Sequence, residues 1–194
     1  PSIIANGRRA DSAVQTADAL KVEVGEDRIK KARRSRPVPI PPGGVVADYV
    51  PFYFAARSPM LYTIHCGNVA SYQGGQDPIV YLVSEISTVV DGGCNAVFTD
   101  RNAYYPYATF DADARRAYDE VDWPLMRASM WNNTGNEPDR MERRMAEMLV
   151  HDAVPFSLVV EIAARSEAML AQVNDLLACV EHRPALAVRT NWYF

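Results

Sequence analysis

The sequence predicts an α+β domain. Short β-branched and aromatic runs bounded by Pro and Gly read as strands at 49–54, 79–83 and 96–99. Helical spacing marks 111–131 and 166–180. The two kinds of element follow one another without a βαβ rhythm, which argues against a doubly wound sheet.

Taken in order, residues 1–10 read as the end of a short helix, with Gly7 as its terminator. From 12 to 36 the composition changes. In Arg28-Ile29-Lys30-Lys31-Ala32-Arg33-Arg34-Ser35-Arg36 six of nine residues are basic, which is either a solvated helix face or a surface that meets phosphate. Val38-Pro39-Ile40-Pro41-Pro42-Gly43-Gly44 is a loop, because proline removes donors and the glycine pair permits a tight reversal. Tyr72-Gln73-Gly74-Gly75-Gln76 is a turn between the first two strands. The helical stretch 111–131 carries Asp111, Asp113, Asp119, Glu120 and Asp122, and 132–139 is a loop rich in Asn. Met141, Met145 and Met148 fall at i, i+4, i+7, so periodicity makes 140–150 a helix. Val154 to Ala163 is a strand candidate, Ser166 to Val180 an amphipathic helix, and 187–194 a terminal strand.

At 194 residues, with 48% apolar and 23% charged residues, the chain has the composition of one globular domain, 1–194. No run approaches the roughly 18 apolar residues of a membrane helix. Lys plus Arg number 20 against 24 Asp plus Glu, a net charge of −4, so a nucleic acid would have to be held by a local basic patch. Cys66, Cys94 and Cys179 are an odd number with no C-x-x-C, which argues against disulfides and zinc and for a reducing, cytoplasmic setting; the three are expected to be small core residues. His65, His151 and His182 are too scattered to bind metal together. P-loop, Rossmann and nucleophile-elbow motifs are all absent.

Two features could carry chemistry. Arg140, Arg143, Arg144 and Glu147 stand beside the Asn-rich loop, either as a salt-bridged surface helix or as a carboxylate beside phosphate-holding arginines. Tyr49, Tyr53, Tyr72, Tyr104, Tyr105, Tyr107 and Trp131 are aromatics near turns, suited either to packing or to stacking on unpaired bases.

A series of words then becomes recognisable: Asp48-Tyr49-Val50-Pro51-Phe52-Tyr53-Phe54, Arg57-Ser58-Pro59-Met60-Leu61-Tyr62, Tyr72-Gln73-Gly74-Gly75-Gln76, Val97-Phe98-Thr99-Asp100-Arg101-Asn102 and Ala146-Glu147-Met148-Leu149-Val150. In this order the chain resembles the DarT family of DNA ADP-ribosyltransferase toxins, from Ile3 to Phe194. The resemblance implies an ADP-ribosyltransferase-like core, a split, twisted pair of sheets with flanking helices. It implies NAD⁺ as co-substrate, no metal, and ADP-ribose transfer to thymine N3 in single-stranded DNA. It further implies a DarG-type antitoxin with a macrodomain as partner. Glu147 matches the family's catalytic glutamate and is expected at the start of a strand, which overrides the periodicity reading. Arg33 matches the catalytic arginine on a helix covering NAD⁺. Gly7, Arg33 and Tyr53 are expected at the NAD⁺ site, and Tyr49, Arg57, Arg101, Asn102, Arg140, Arg143 and Arg144 at the DNA. The family opens with a strand whose histidine grips NAD⁺. The chain is expected to begin downstream of that strand, and none of its histidines replaces it by position. Two other readings stay open: a single-strand binder that has lost turnover, and the same transfer onto guanine, RNA or protein. No membrane contact is expected, and nothing suggests more than a monomer.

Overall fold

A computed structural model describes residues 2–16 and 27–194. In chain order the elements are α1 (Ser2–Asn6), β1 (Arg8–Arg9), α2 (Asp11–Thr16), α3 (Asp27–Ser35), β2 (Tyr49–Tyr53), α4 (Pro59–His65), β3 (Tyr81–Val83), α5 (Ile86–Asp91) and β4 (Ala96–Thr99). There follow β5 (Phe110–Asp111), α6 (Ala114–Glu120), α7 (Trp123–Arg127), α8 (Arg140–Arg143), β6 (Glu147–His151), β7 (Ala153–Val154), β8 (Glu161–Ala164), α9 (Glu167–Leu176) and β9 (Ala185–Val188).

The largest sheet has the order β2-β6-β4-β5 and is antiparallel throughout. Its central strand, β6, is buried on both faces, and side chains alternate between them. Met148 and Val150 join Val50, Phe98 and Val89 in one core cluster, whereas Leu149 joins Tyr49, Val97 and Val46 in another. Pro51 is tolerated because β2 is an edge strand whose outer side needs no donor. A second sheet, β3-β8-β9, pairs β8 antiparallel to β3 and parallel to β9; α9 packs on it through Val173 and Leu177. β1 and β7 form a small ribbon.

The three predicted strands stand where expected, as do the helix ending at Gly7 and the Pro/Gly loop. Other readings are corrected. The stretch 111–131 is two helices, broken where Val121 is extended and Asp122 caps α7 by accepting from the Leu125 N–H at 2.9 Å, with Pro124 in the first turn. The helix expected over 140–150 stops after one turn; 147–151 is the strand that the resemblance implied. Val154 to Ala163 divides into β7, a 3-10 turn and β8, and 190–192 is a 3-10 turn rather than strand. Two of the cysteines are not core residues: Cys66 and Cys179 are exposed, whereas half-buried Cys94 packs against the core cluster of Phe98 and Met148, and all three are free thiols. Residues 17–26 of the stretch that changes character lie outside the described residues. Among the described residues no helix is long and apolar enough to cross a membrane.

Candidate active site

The site forms where β2, β6 and β4 meet at one end of the main sheet. The register sets Tyr53 and Thr99 on either side of Glu147. The Glu147 N–H donates to Thr99 Oγ1 at 3.3 Å, and that hydroxyl donates to the Arg101 carbonyl at 2.7 Å, anchoring the segment after β4 to the start of β6.

The Glu147 side chain is wholly buried. Burial of an unpaired carboxylate would be costly, and Arg33 answers it. Arg33 Nη1 lies 2.9 Å from each carboxylate oxygen and 3.4 Å from Asn102 Oδ1. Burial raises the Glu147 pKa above its usual range, opposed by the Arg33 charge and hydrogen bond and by the Ala103 amide. Tyr53 is pushed up too, by burial first and then by the negative charge of Glu147. Arg33 Nη2 is buried and finds no acceptor among the described residues. The site therefore combines an ionisable carboxylate held beside a cation with a spare, desolvated donor suited to an anion.

Helix α3 is held in place from its other cations. Lys30 and Arg34 both reach Asp11 of α2, at 2.8 and 3.4 Å. Arg36 Nη2 donates to the Pro106 carbonyl at 2.9 Å, and its guanidinium lies 5.7 Å from the centre of the Phe110 ring. The basic run is thus neither a plain solvated face nor wholly a phosphate surface: Lys30, Arg33, Arg34 and Arg36 at least are turned to protein partners.

The structure brings Arg33, Tyr53, Asn102 and Glu147 together. Gly7 is left-handed (φ +69°) and packs on Val154 and Pro155 at the β1–β7 ribbon. Three residues expected at DNA are inside the protein. Tyr49 is 1% exposed, donates its hydroxyl to the Gly43 carbonyl at 2.7 Å and sets its ring edge-on to His151. Asn102 is 2% exposed and positions Arg33 while its amide reaches Met145 Sδ. Arg144 is 4% exposed and ties the carbonyls of Leu125, Met126 and Ala56 at 2.6, 2.6 and 2.8 Å. Tyr49 and Asn102 have their polar atoms engaged within the protein, and Arg144 engages both its Nη atoms there while its Nε finds no acceptor among the described residues.

The remaining arginines lie nearer the surface. Arg143 is clasped by Asp122, Glu137 and Asp139, and Arg140 by Glu137 and the Met130 carbonyl. Arg101 reaches Asp100 at 2.8 Å and Glu142 at 3.3 Å, under the exposed ring of Tyr107, whose hydroxyl donates to Glu142 at 2.7 Å. Tyr104, Tyr105 and Tyr107 form a stacked row. Sequence reasoning missed Thr99 and Ala103, which hold Glu147. The first gives no signal beyond its place in a strand, and the second acts through its backbone alone. Among the described residues no cluster of His, Cys, Asp or Glu is arranged to hold a metal.

Comparison with known proteins agrees with this geometry. The family model described as ssDNA thymidine ADP-ribosyltransferase, DarT, matches residues 1–194. A DNA ADP-ribosyl transferase of Thermus sp. (strain 2.9) is 40% identical over 168 residues, 86% of this chain and 78% of the relative. The structure of Thermus sp. 2.9 DarT in complex with ADP-ribosylated ssDNA superposes with a TM-score of 0.91 at 36% identity, covering 100% of this chain and 90% of that one. The same protein in complex with NAD⁺ gives a TM-score of 0.85 at 36% identity, covering 100% and 91%.

Proposed function

Because the chain belongs to the DarT family of ssDNA thymidine ADP-ribosyltransferases, we propose that it transfers ADP-ribose from NAD⁺ to N3 of thymine in single-stranded DNA. The observation that carries this reading is the buried Glu147 carboxylate bridged on both oxygens by Arg33 Nη1.

The chemistry follows from the residues. As the bond between nicotinamide and ribose C1 breaks, its electron pair leaves with the nicotinamide, which departs neutral, and the ribose gains oxocarbenium character. A fixed carboxylate stabilises that charge. Thymine N3 is a weak acid, so its proton passes to Glu147 while N3 bonds to C1; the proton then leaves to solvent. Glu147 must be ionised for this, and the Arg33 charge favours that form. Arg33 Nη2 supplies a donor for the pyrophosphate, and Tyr53 walls the site beside Glu147. An unpaired strand presents its base without the cost of extruding it from a duplex.

Thymine N3 is the atom whose proton pairs with adenine, so the adduct blocks templating. That block supports a toxin role; a cytoplasmic setting and a DarG-type macrodomain antitoxin that removes the mark are proposed with it from the resemblance to the family. Incubation with NAD⁺ and short oligonucleotides, followed by mass spectrometry, tests the reading. An added ADP-ribose only on strands containing thymine, absent with Glu147→Ala, is the expected result. Adducts on strands without thymine overturn the choice of base, and DNA binding without any adduct leaves a single-strand binder.

A further inference from the structure

The loop ahead of Glu147 and the segment after β4 carry arginines, yet Arg140 and Arg143 of the first and Arg101 of the second all donate to carboxylates. A DNA phosphate approaching there meets guanidinium groups already engaged by acids. Arg57 differs. It pairs with no carboxylate among the described residues; its guanidinium lies 4.4 Å from the centre of the Phe194 ring, and its Nε is buried without an acceptor. Arg144 bonds the carbonyl of Ala56, immediately before it, and its Nε is likewise buried without an acceptor. Two positive charges therefore stand side by side with no acid between them among the described residues, and burial together with the Arg57 charge lowers the Arg144 pKa.

The backbone at Arg57 is left-handed (φ 53°), an unusual conformation for a long side chain. It is fastened on both sides: the Arg57 N–H donates to Tyr81 Oη at 3.3 Å, and the Ala56 carbonyl accepts from Arg144 Nη2 at 2.8 Å. Strain held this firmly, with uncompensated charge and unused donors, fits a site built for a ligand, and an anion answers the charge and the donors. The place fits too. Arg57 follows the end of β2, where Tyr53 faces Glu147, and Arg144 precedes the start of β6. Tyr62, 47% exposed, sets its ring 5.1 Å from Phe194.

Resting on the thymine-modifying reading, we propose that Arg57 seats a phosphodiester flanking the target thymine. Arg144 adds charge from beneath, and the exposed Tyr62 ring offers a stacking surface to the neighbouring base.

The test substitutes neutral methylphosphonate at one phosphate at a time along a thymine-containing oligonucleotide, with wild type and Arg57→Gly. Glycine accepts the left-handed backbone without strain, so this variant keeps its fold and thermal stability. In the wild type, one position near the thymine is expected to lower kcat/KM for DNA about tenfold, the scale of one charge-assisted hydrogen bond. In Arg57→Gly the same position has no further effect, and Arg57→Lys retains part of the coupling. Losses that simply multiply overturn the seat. So does a rise in KM for NAD⁺ without coupling to any DNA phosphate, which assigns the anion to the dinucleotide. The same comparison made on binding of a labelled oligonucleotide needs no turnover, so a failure of thymine transfer is told apart from a failure of the seat.

Discussion

Arg33 meets Glu147 through a single nitrogen: Nη1 sits 2.9 Å from both carboxylate oxygens, while Nη2 stays buried and unbonded among the described residues. One half of the guanidinium keeps the carboxylate charged, and the other half is available to a substrate. The pair therefore links base strength to cofactor binding, and substitutions at its two members should behave differently.

Glu147→Gln keeps the shape of the side chain and removes its charge. Transfer is expected to fall by about 10²–10⁴-fold in kcat, while the Kd for a thymine oligonucleotide stays within about twofold. Quantitative mass spectrometry of the adduct and fluorescence anisotropy check the two halves. An equal loss in both measurements would show that Glu147 shapes the site rather than acting in it.

The pH profile has a definite sign. Burial outweighs Arg33 and the Ala103 amide, so the folded Glu147 pKa lies above its ordinary value of 4.5. The protonated form is thus favoured by folding: that stability is full below the unfolded pKa and is lost as pH rises through the folded one. Activity requires the ionised form and runs the other way. The acid limb of kcat/KM should lie above 4.5, and Arg33→Gln should move it higher still. A limb that does not move in Arg33→Gln would mean that another group sets it.

Arg143 joins Asp122, Glu137 and Asp139 across the loop before Glu147. Its side chain is 23% exposed and its partners more so, so water screens the network and Arg143→Ala should cost only about 1 kcal/mol. A scan should show Tm lower by about 2–4 °C. The larger effect should be kinetic: KM for DNA rises while KM for NAD⁺ holds, because the loop loses its fixed shape.

Gly7→Ala should destabilise the protein. A Cβ there would overlap the Val154 carbonyl oxygen, at φ +69°. The left-handed backbone alone costs about 1–2 kcal/mol with a side chain present, and the clash adds to it. Urea denaturation measures the loss. KM for NAD⁺ in the folded fraction separates this packing role from the expected cofactor contact.

Strands β2, β3 and β4 were legible because proline and glycine bracket short apolar runs there. β6 was not. Buried on both faces, it shows no alternation, and Met141, Met145 and Met148 fell by coincidence at helical spacing. Only the resemblance placed Glu147 on a strand. Arg33 and Glu147 were named from motifs, but their contact spans 114 residues, and no local pattern reports such a pairing. Tyr49, Asn102 and Arg144 are expected at DNA from the resemblance alone, and the partners that their polar atoms find inside the fold are not legible in the sequence. Some of the acids that occupy Arg101, Arg140 and Arg143 are near in sequence, as Glu137 is to Arg140 and Asp139 to Arg143, but Glu142 reaches Arg101 across 41 residues, and the lack of any acid beside Arg57 among the described residues is likewise visible only in three dimensions.

The position of β6 between two strands from earlier in the chain has a consequence for synthesis. β2 and β4 leave the ribosome before the strand that joins them, and Glu147 is that strand's opening residue. Until that strand slots between its neighbours, Arg33 has no carboxylate to meet and Tyr53 and Thr99 have no partner in register. A growing chain that has not yet made β6 is therefore chemically inert. The capacity to mark DNA arises in one cooperative step, when that strand docks between its neighbours.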